Sequence, residues 1–329
     1  MGLSKSKDFK VRWFKDRDLQ PYISGLNKTL YEEYNERIFK WEWLENPHSL
    51  GFVSIAVVES QENTPIAFNS FLPLKLRYSK EEFMIVQGCD GFVDADYRRS
   101  GLFQETIRFM AKELEGKGPE MLIGFNFSAA TEAAKKAGSL ISSSFQLWTL
   151  KSPKLSKDTR VSVERVTIND VFEIYKAWET STDLIHVSKS RKYLEWRFLK
   201  APMREYRFYK ISGYGLVNYL VASLGYYEQG KRDLVLEDFS PALADPRILS
   251  STIIEVEKDF GGADSTGLIA NNSAQIARVA VSLGFSSEPR FDLIMKAISG
   301  IERKEEKLYR KGIELTNISD WHITDSDIY

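Results

Sequence analysis

The chain has 329 residues, 43% hydrophobic and 28% charged, and its 45 basic side chains balance 46 acidic ones to a net charge of −1. That composition suits a soluble globular protein with room for two domains of about 150 residues. It lacks the basic excess of a nucleic-acid binder, and no apolar run reaches the roughly 18 residues that cross a bilayer.

The opening segment, MGLSKSKDFK, has no hydrophobic stretch of the kind a secretory signal needs. Gly2 and Ser6 stand where a myristoylation pattern requires them, although a disordered leader is the plainer reading. The single cysteine, Cys89, excludes an internal disulfide and points to a reducing, cytoplasmic setting. Three scattered histidines, His48, His186 and His322, supply no clustered ligand spacing, so no metal is expected.

Helical segments come first and end near WEWLENP, Trp41 to Pro47. The runs FVSIAVVE and PIAFNSFLPLKLRY then fit an antiparallel hairpin or meander. A third run, FMIVQGCDGFV, ends at Val93 and gives way to Arg98, Arg99, Ser100 and Gly101. Beyond that turn Leu102, Thr106, Phe109 and Met110 recur at helical spacing. MLIGFNF reads as a short buried strand, Ser128 as a helix cap, Gly138 as the helix stop and FQLWTL as a closing strand.

This order returns. WEWLENP recurs as WRFLKAP at an offset of 155 (196 − 41), and LIGFNFSAATEAAKKAGS recurs as LIANNSAQIARVAVSLGF at 146 (268 − 122). The second match sets Asn126 on Asn272 and Gly138 on Gly284. Ordered matches of this kind read as two copies of one domain, 1–150 and 158–300, joined by a polar linker near Lys151 to Lys157. A tail, 301–329, starts as a charged helix and folds back to cover Trp321, Ile323 and Tyr329. The expected fold class is α/β (α+β by some schemes), each copy a mixed, mostly antiparallel sheet flanked by helices.

A strand, a glycine-containing turn and a helix leave the first helical N–H groups free and positively polarised, which is an anion site. Arg98 and Arg99 add charge, and Gly101 lets a pyrophosphate approach the backbone. In the second copy Asp245 and Pro246 occupy the equivalent helix start, with a capping carboxylate where a pyrophosphate would sit.

VDADYRRSGLF resembles the acyl-coenzyme A loop of the GNAT (N-acetyltransferase) superfamily, whose core reads Arg/Gln-x-x-Gly-x-Gly/Ala. Arg98, Ser100 and Gly101 fit, whereas Phe103 replaces the small final residue. FNFSAATEAAKKAGS is similar to the family's second motif through Asn126, Lys136 and Gly138. The tryptophan–proline segment and the ending DWHITDSDIY also resemble members linked to envelope polysaccharide synthesis. The resemblance implies two tandem GNAT-like domains, with coenzyme bound by the N-terminal copy alone. It assigns Gly91, Phe92 and Val93 to the pantetheine arm, Arg98, Arg99, Ser100, Gly101, Leu102 and Phe103 to the pyrophosphate, and Asn126 to the same ligand.

The activity it implies is direct transfer of an acyl group from acetyl- or another acyl-coenzyme A to a small-molecule amine, an amino sugar or envelope precursor. Asp90 is the candidate base, with Gln87 and, across the cleft, Glu237 as further polar contacts. The family's acid tyrosine falls at Ala134. Cys89 reads as a small buried residue rather than a nucleophile, because no histidine adjoins it. Two alternatives stay open, a tandem aminoacyl ligase of the peptidoglycan-bridge type and a non-catalytic binding module.

Overall fold

The computed structural model describes residues 9–30, 33–151, 155–225 and 231–328. Gly2 and Ser6, the middle of the expected linker and Tyr329 lie outside the described residues.

The first half runs β1 (Lys10–Trp13), α1 (Leu19–Thr29), α2 (Glu36–Phe39) with a turn of π-helix (Lys40–Leu44), β2 (Ile55–Glu59) and β3 (Pro65–Tyr78). It continues through β4 (Glu81–Val93), α3 (Leu102–Leu114), β5 (Met121–Asn126), α4 (Ser128–Lys136) and β6 (Leu140–Lys151). The second half runs β7 (Ser162–Arg165), α5 (Ile168–Glu179), β8 (Ile185–Val187), α6 (Arg191–Leu194) with a second π-helical turn (Glu195–Leu199), β9 (Tyr206–Gly213) and β10 (Leu216–Gly225). Then come β11 (Asp233–Phe239), α7 (Pro246–Asp259), β12 (Ser265–Asn271), α8 (Gln275–Ser282) and β13 (Ser286–Ala297).

The strands form one sheet in the order β1-β2-β3-β4-β5-β13-β6-β12-β11-β10-β9-β7. Along that order β4/β5 and β11/β12 are parallel and the other neighbours antiparallel. The closing strands do not close their own halves. β6 pairs with β12 of the second half (Ile269 opposite Leu147), while β13 enters between β5 and β6 (Met295 opposite Ile123). FQLWTL is buried on both faces, Phe145 and Leu147 in one core and Trp148 and Leu150 in another, and that pattern carries no information about the neighbouring strand, so this exchange is invisible in the sequence.

Both sheet faces are covered. Ile107, Met110 and Leu114 of α3 pack with Ala134 of α4 over Phe71, Val86 and Leu122. Tyr22 and Leu26 of α1 share the other core with Phe68, Phe92 and Trp41. The two π-helical turns meet there, and the Trp41 and Trp196 rings stack at 5.2 Å. Each indole N–H donates to the other tryptophan's carbonyl, at 2.8 and 2.6 Å.

The tail departs from expectation. Instead of a helix, Glu302–Lys304, Lys307–Arg310 and Ile313–Glu314 make a small antiparallel sheet. Its turns use left-handed backbone at Glu305, Lys311 and Gly312, and Arg310 ties it down through Glu81 (2.8 Å) and Glu120 (2.6 Å). Trp321 and His322 then run parallel to β8, and Asp325–Asp327 forms a helical turn that packs on β11. Ser128 is likewise not a cap: it is the first residue of α4, behind an extended Phe127 with no side-chain cap. No helix among the described residues is long and apolar enough to cross a membrane.

Candidate active site

The site follows from where β4 and β5 part. Their parallel ladder runs from Ile85/Met121 to Gly88/Gly124 and stops there, whereas β4 stays paired to β3 as far as Val93. Cys89 to Val93 therefore present an edge that β5 does not cover. Within this stretch β4 carries a bulge, Asp90 and Gly91 standing opposite Asn69 alone, and Asp90 takes a left-handed φ of 45°. Such a bulge re-aims the side chains next to it. Gly91 is required here, because a Cβ would come within 2.8 Å of Phe103 and 2.9 Å of the Asn69 oxygen.

The gap opens into a cleft of about 550 Å³. Asp90, Cys89, Phe103 and Asn126 of the first half line it together with Arg197, Arg204, Tyr206 and Glu237 of the second. The expected residues do not all meet there. Gln87 is a correction: it is fully buried beside Leu72 and Ile123, where the β4/β5 ladder is still closed, and it does not line the cleft. Phe92 and Leu102 bury their side chains in the core, so only their backbones can face a ligand. Val93 is half-buried at the end of the uncovered edge. Burial pushes the Cys89 thiol up, which keeps it from acting as a thiolate.

None of Arg98, Arg99, Ser100 and Gly101 lines the cleft, which reaches α3 at Phe103 and Ile107; the first three are exposed, and Gly101 precedes α3 with a φ of 84°. No side chain caps α3, and its first backbone bond runs from Glu105 to Gly101, so the N–H groups of the preceding residues have no helical acceptor. The start of α7 is closed by comparison: the Asp245 carboxylate accepts from the backbone of Arg247 (2.8 Å) and Ile248 (3.3 Å).

Several lining residues escape sequence reasoning. Glu42 and Arg197 sit at equivalent places in the two π-helical turns (197 − 42 = 155) and both face the cleft. Ligand atoms of Glu42, Cys89 and Asp90 lie within 4.8 Å of one another. Burial, then the neighbouring Asp90, pushes the Glu42 carboxyl well up, while Tyr34 donates to it at 2.6 Å. The available signal is a charge wedged between two aromatic residues, W-E-W and W-R-F, in a segment whose flanks must be buried.

Asp325 reaches the cleft from the tail. Burial, followed by the charge of Glu237, raises its carboxyl to about 8, and Glu237 itself is held by Arg204 at 2.7 Å. The folded protein thus keeps a proton that the unfolded chain releases near 3.8, and stability falls as pH rises from there to about 8. Asp325→Asn should flatten that decline. Denaturant midpoints measured across this range test it, and an unaltered slope in the variant refutes the assignment.

No family profile and no curated protein matches the sequence. Solved structures do match. A GCN5-related N-acetyltransferase from Anabaena variabilis superposes with a TM-score of 0.65 at 12% identity, over 93% of this chain and 84% of that one. The chain has the fold of the GCN5-related N-acetyltransferases. A second such protein, from Kribbella flavida, gives 0.59 at 12% identity over 88% and 71% of the two chains. Eis1 from Mycobacterium abscessus gives 0.55 at 10% over 88% and 73%. In this fold the parting of β4 and β5 lines the cleft through Gly88 to Gly91 and Gly124 to Asn126.

Proposed function

We propose that the protein is an acyl-coenzyme A-dependent N-acyltransferase, built from two copies of one unit, of which the first binds coenzyme. The observation that carries this reading is the pairing of two features on β4: an uncovered strand edge at Cys89 to Val93, and the uncapped helix start that follows it. The residues fit such a ligand. An extended amide-containing arm can pair along the Gly91–Val93 edge, and a pyrophosphate can take the free N–H groups of α3 beside Arg98, Arg99 and Ser100, with Asn126 across the gap. Gly101 keeps the approach open. The coenzyme supplies an activated acyl group when bound; the chain's own residues do the rest.

Those residues orient the acceptor and take its proton. Asp90, aimed into the cleft by its bulge, accepts the proton of the acceptor ammonium, and Glu42 lies close enough to hold that proton jointly with it. Glu237 is salt-bridged and better suited to shaping the opposite wall than to proton transfer. The acceptor is a small amine, with an amino sugar or envelope precursor as the class that the sequence resemblance suggests.

Calorimetric titration with acetyl-coenzyme A should give one site per chain, and thermal stability should rise on saturation. Gly101→Asp should abolish both effects, since it forces a side chain onto a left-handed φ and puts negative charge at the helix start. Asp245→Ala should cost about 0.5–2 kcal/mol of stability through the lost cap and leave coenzyme affinity unchanged. Two equivalent sites per chain, or full binding by Gly101→Asp, would sink the assigned site.

A further inference from the structure

We infer that the acceptor is an amine that also carries an anionic group, a carboxylate or phosphate, held between an acidic pole at Glu42 and Asp90 and a cationic pole at Arg290. This rests on the acyl-transfer reading above.

The three arginines that line the cleft are not equivalent. Arg204 is bound to Glu237 at 2.7 Å. Arg197 donates from Nε to the Ser326 carbonyl at 3.0 Å and from Nη1 to the Tyr206 hydroxyl at 3.3 Å. Arg290 has neither an ion pair nor a hydrogen bond with any described residue, and its Nε is buried without a partner. The Phe127 and Phe291 rings lie 5.8 and 5.5 Å from its guanidinium. A partly desolvated guanidinium with no acceptor is costly to keep, and its planar fork matches a carboxylate or phosphate.

The backbone presents this charge deliberately. β13 pairs Pro289 with Gln146 and Phe291 with Phe145, which leaves Arg290 as the extra residue of a bulge. Asp90 stands on the bulge of β4. Asp90 and Arg290 are therefore side chains that strand alternation would have placed elsewhere, and both line one cleft with Glu42 of the first π-helical turn. At the acidic pole Glu42 and Asp90 come within 4.8 Å of each other, a separation that favours holding a cation between them. An ammonium at one end and an anion at the other satisfy both poles; a neutral amine leaves Arg290 unpaired.

The test titrates protein saturated with coenzyme A using matched pairs: α-amino acids against their amides, and glucosamine 6-phosphate against glucosamine. The anionic member of at least one pair should bind about tenfold tighter or more. The pair that shows the preference tells carboxylate from phosphate. Arg290→Gln should erase the difference without changing coenzyme affinity. Equal binding within every pair, no binding by any probe, or loss of coenzyme affinity in Arg290→Gln would overturn the inference. Probes that bind as expected but accept no acetyl group from acetyl-coenzyme A would instead refute the acyl-transfer reading and leave the acceptor class standing.

Discussion

Asp90→Asn should lower kcat for acetyl transfer by about 10²–10⁴-fold, the usual worth of a positioned general base, while coenzyme affinity stays as it was. Asparagine keeps the size of the side chain and tolerates the left-handed backbone that the bulge imposes at this position, φ 45°. The β3–β4 bulge should therefore survive, and with it the uncovered edge. What is lost is the ability to take a proton. Glu42, whose ligand atoms lie within 4.8 Å of those of Asp90, stays in place in the variant, so the loss of rate isolates the contribution of Asp90. Steady-state rates of coenzyme release across pH, with circular dichroism as a check on folding, decide the matter. A folded variant that retains its rate within about threefold would remove Asp90 from proton transfer.

How much of this is legible in the sequence depends on whether a feature is local. The start of α7 is readable from Ala-Asp-Pro-Arg because capping is decided within four residues, and the Asp245 carboxylate does accept the expected N–H groups. Gly138 and Gly284 end their helices in left-handed backbone for the same local reason. The uncapped turn before α3 is less readable, since Ser100 is a capping residue type, yet its hydroxyl donates to the Tyr97 carbonyl and Gly101 takes the cap position.

Nonlocal features are another matter. The exchange of β6 and β13 is set by which edge each strand meets, and alternation is silent about that. Arg290 and Asp90 owe their aim to bulges, and a bulge shifts the period-two pattern by one without any mark in composition. Gln87 misleads for the complementary reason: it belongs to the same run as Cys89 and Asp90 but lies below the last β4/β5 pair, where the sheet is still shut. Asp325 arrives from a tail whose charged opening, IERKEEKLYR, reads as helix. Its turns at Glu305 and Gly312, and its anchoring by Arg310, make it a sheet instead.

Trp196→Ala should destabilise the whole molecule by about 3–5 kcal/mol, the range for removing a buried aromatic of this size. That is a large share of the 5–15 kcal/mol that typically separates folded from unfolded proteins. Trp196 is only 2% exposed, stacks on Trp41 and donates its indole N–H to the Trp41 carbonyl, so the variant leaves both a cavity and an unpaired acceptor. The loss should not stay in the second half. β13 supplies the partner for β5 and β6 supplies the partner for β12, so neither half completes its sheet without the other's closing strand. The tryptophan pair sits where the two π-helical turns meet and clamps the halves together, and Glu42 and Arg197 are the neighbours of those same tryptophans. Urea unfolding followed by circular dichroism and by fluorescence should accordingly show one coincident transition in both proteins, shifted to lower denaturant in Trp196→Ala with little change in slope. Two separated transitions, with the first half retaining its stability in the variant, would mean that the shared sheet does not couple the halves.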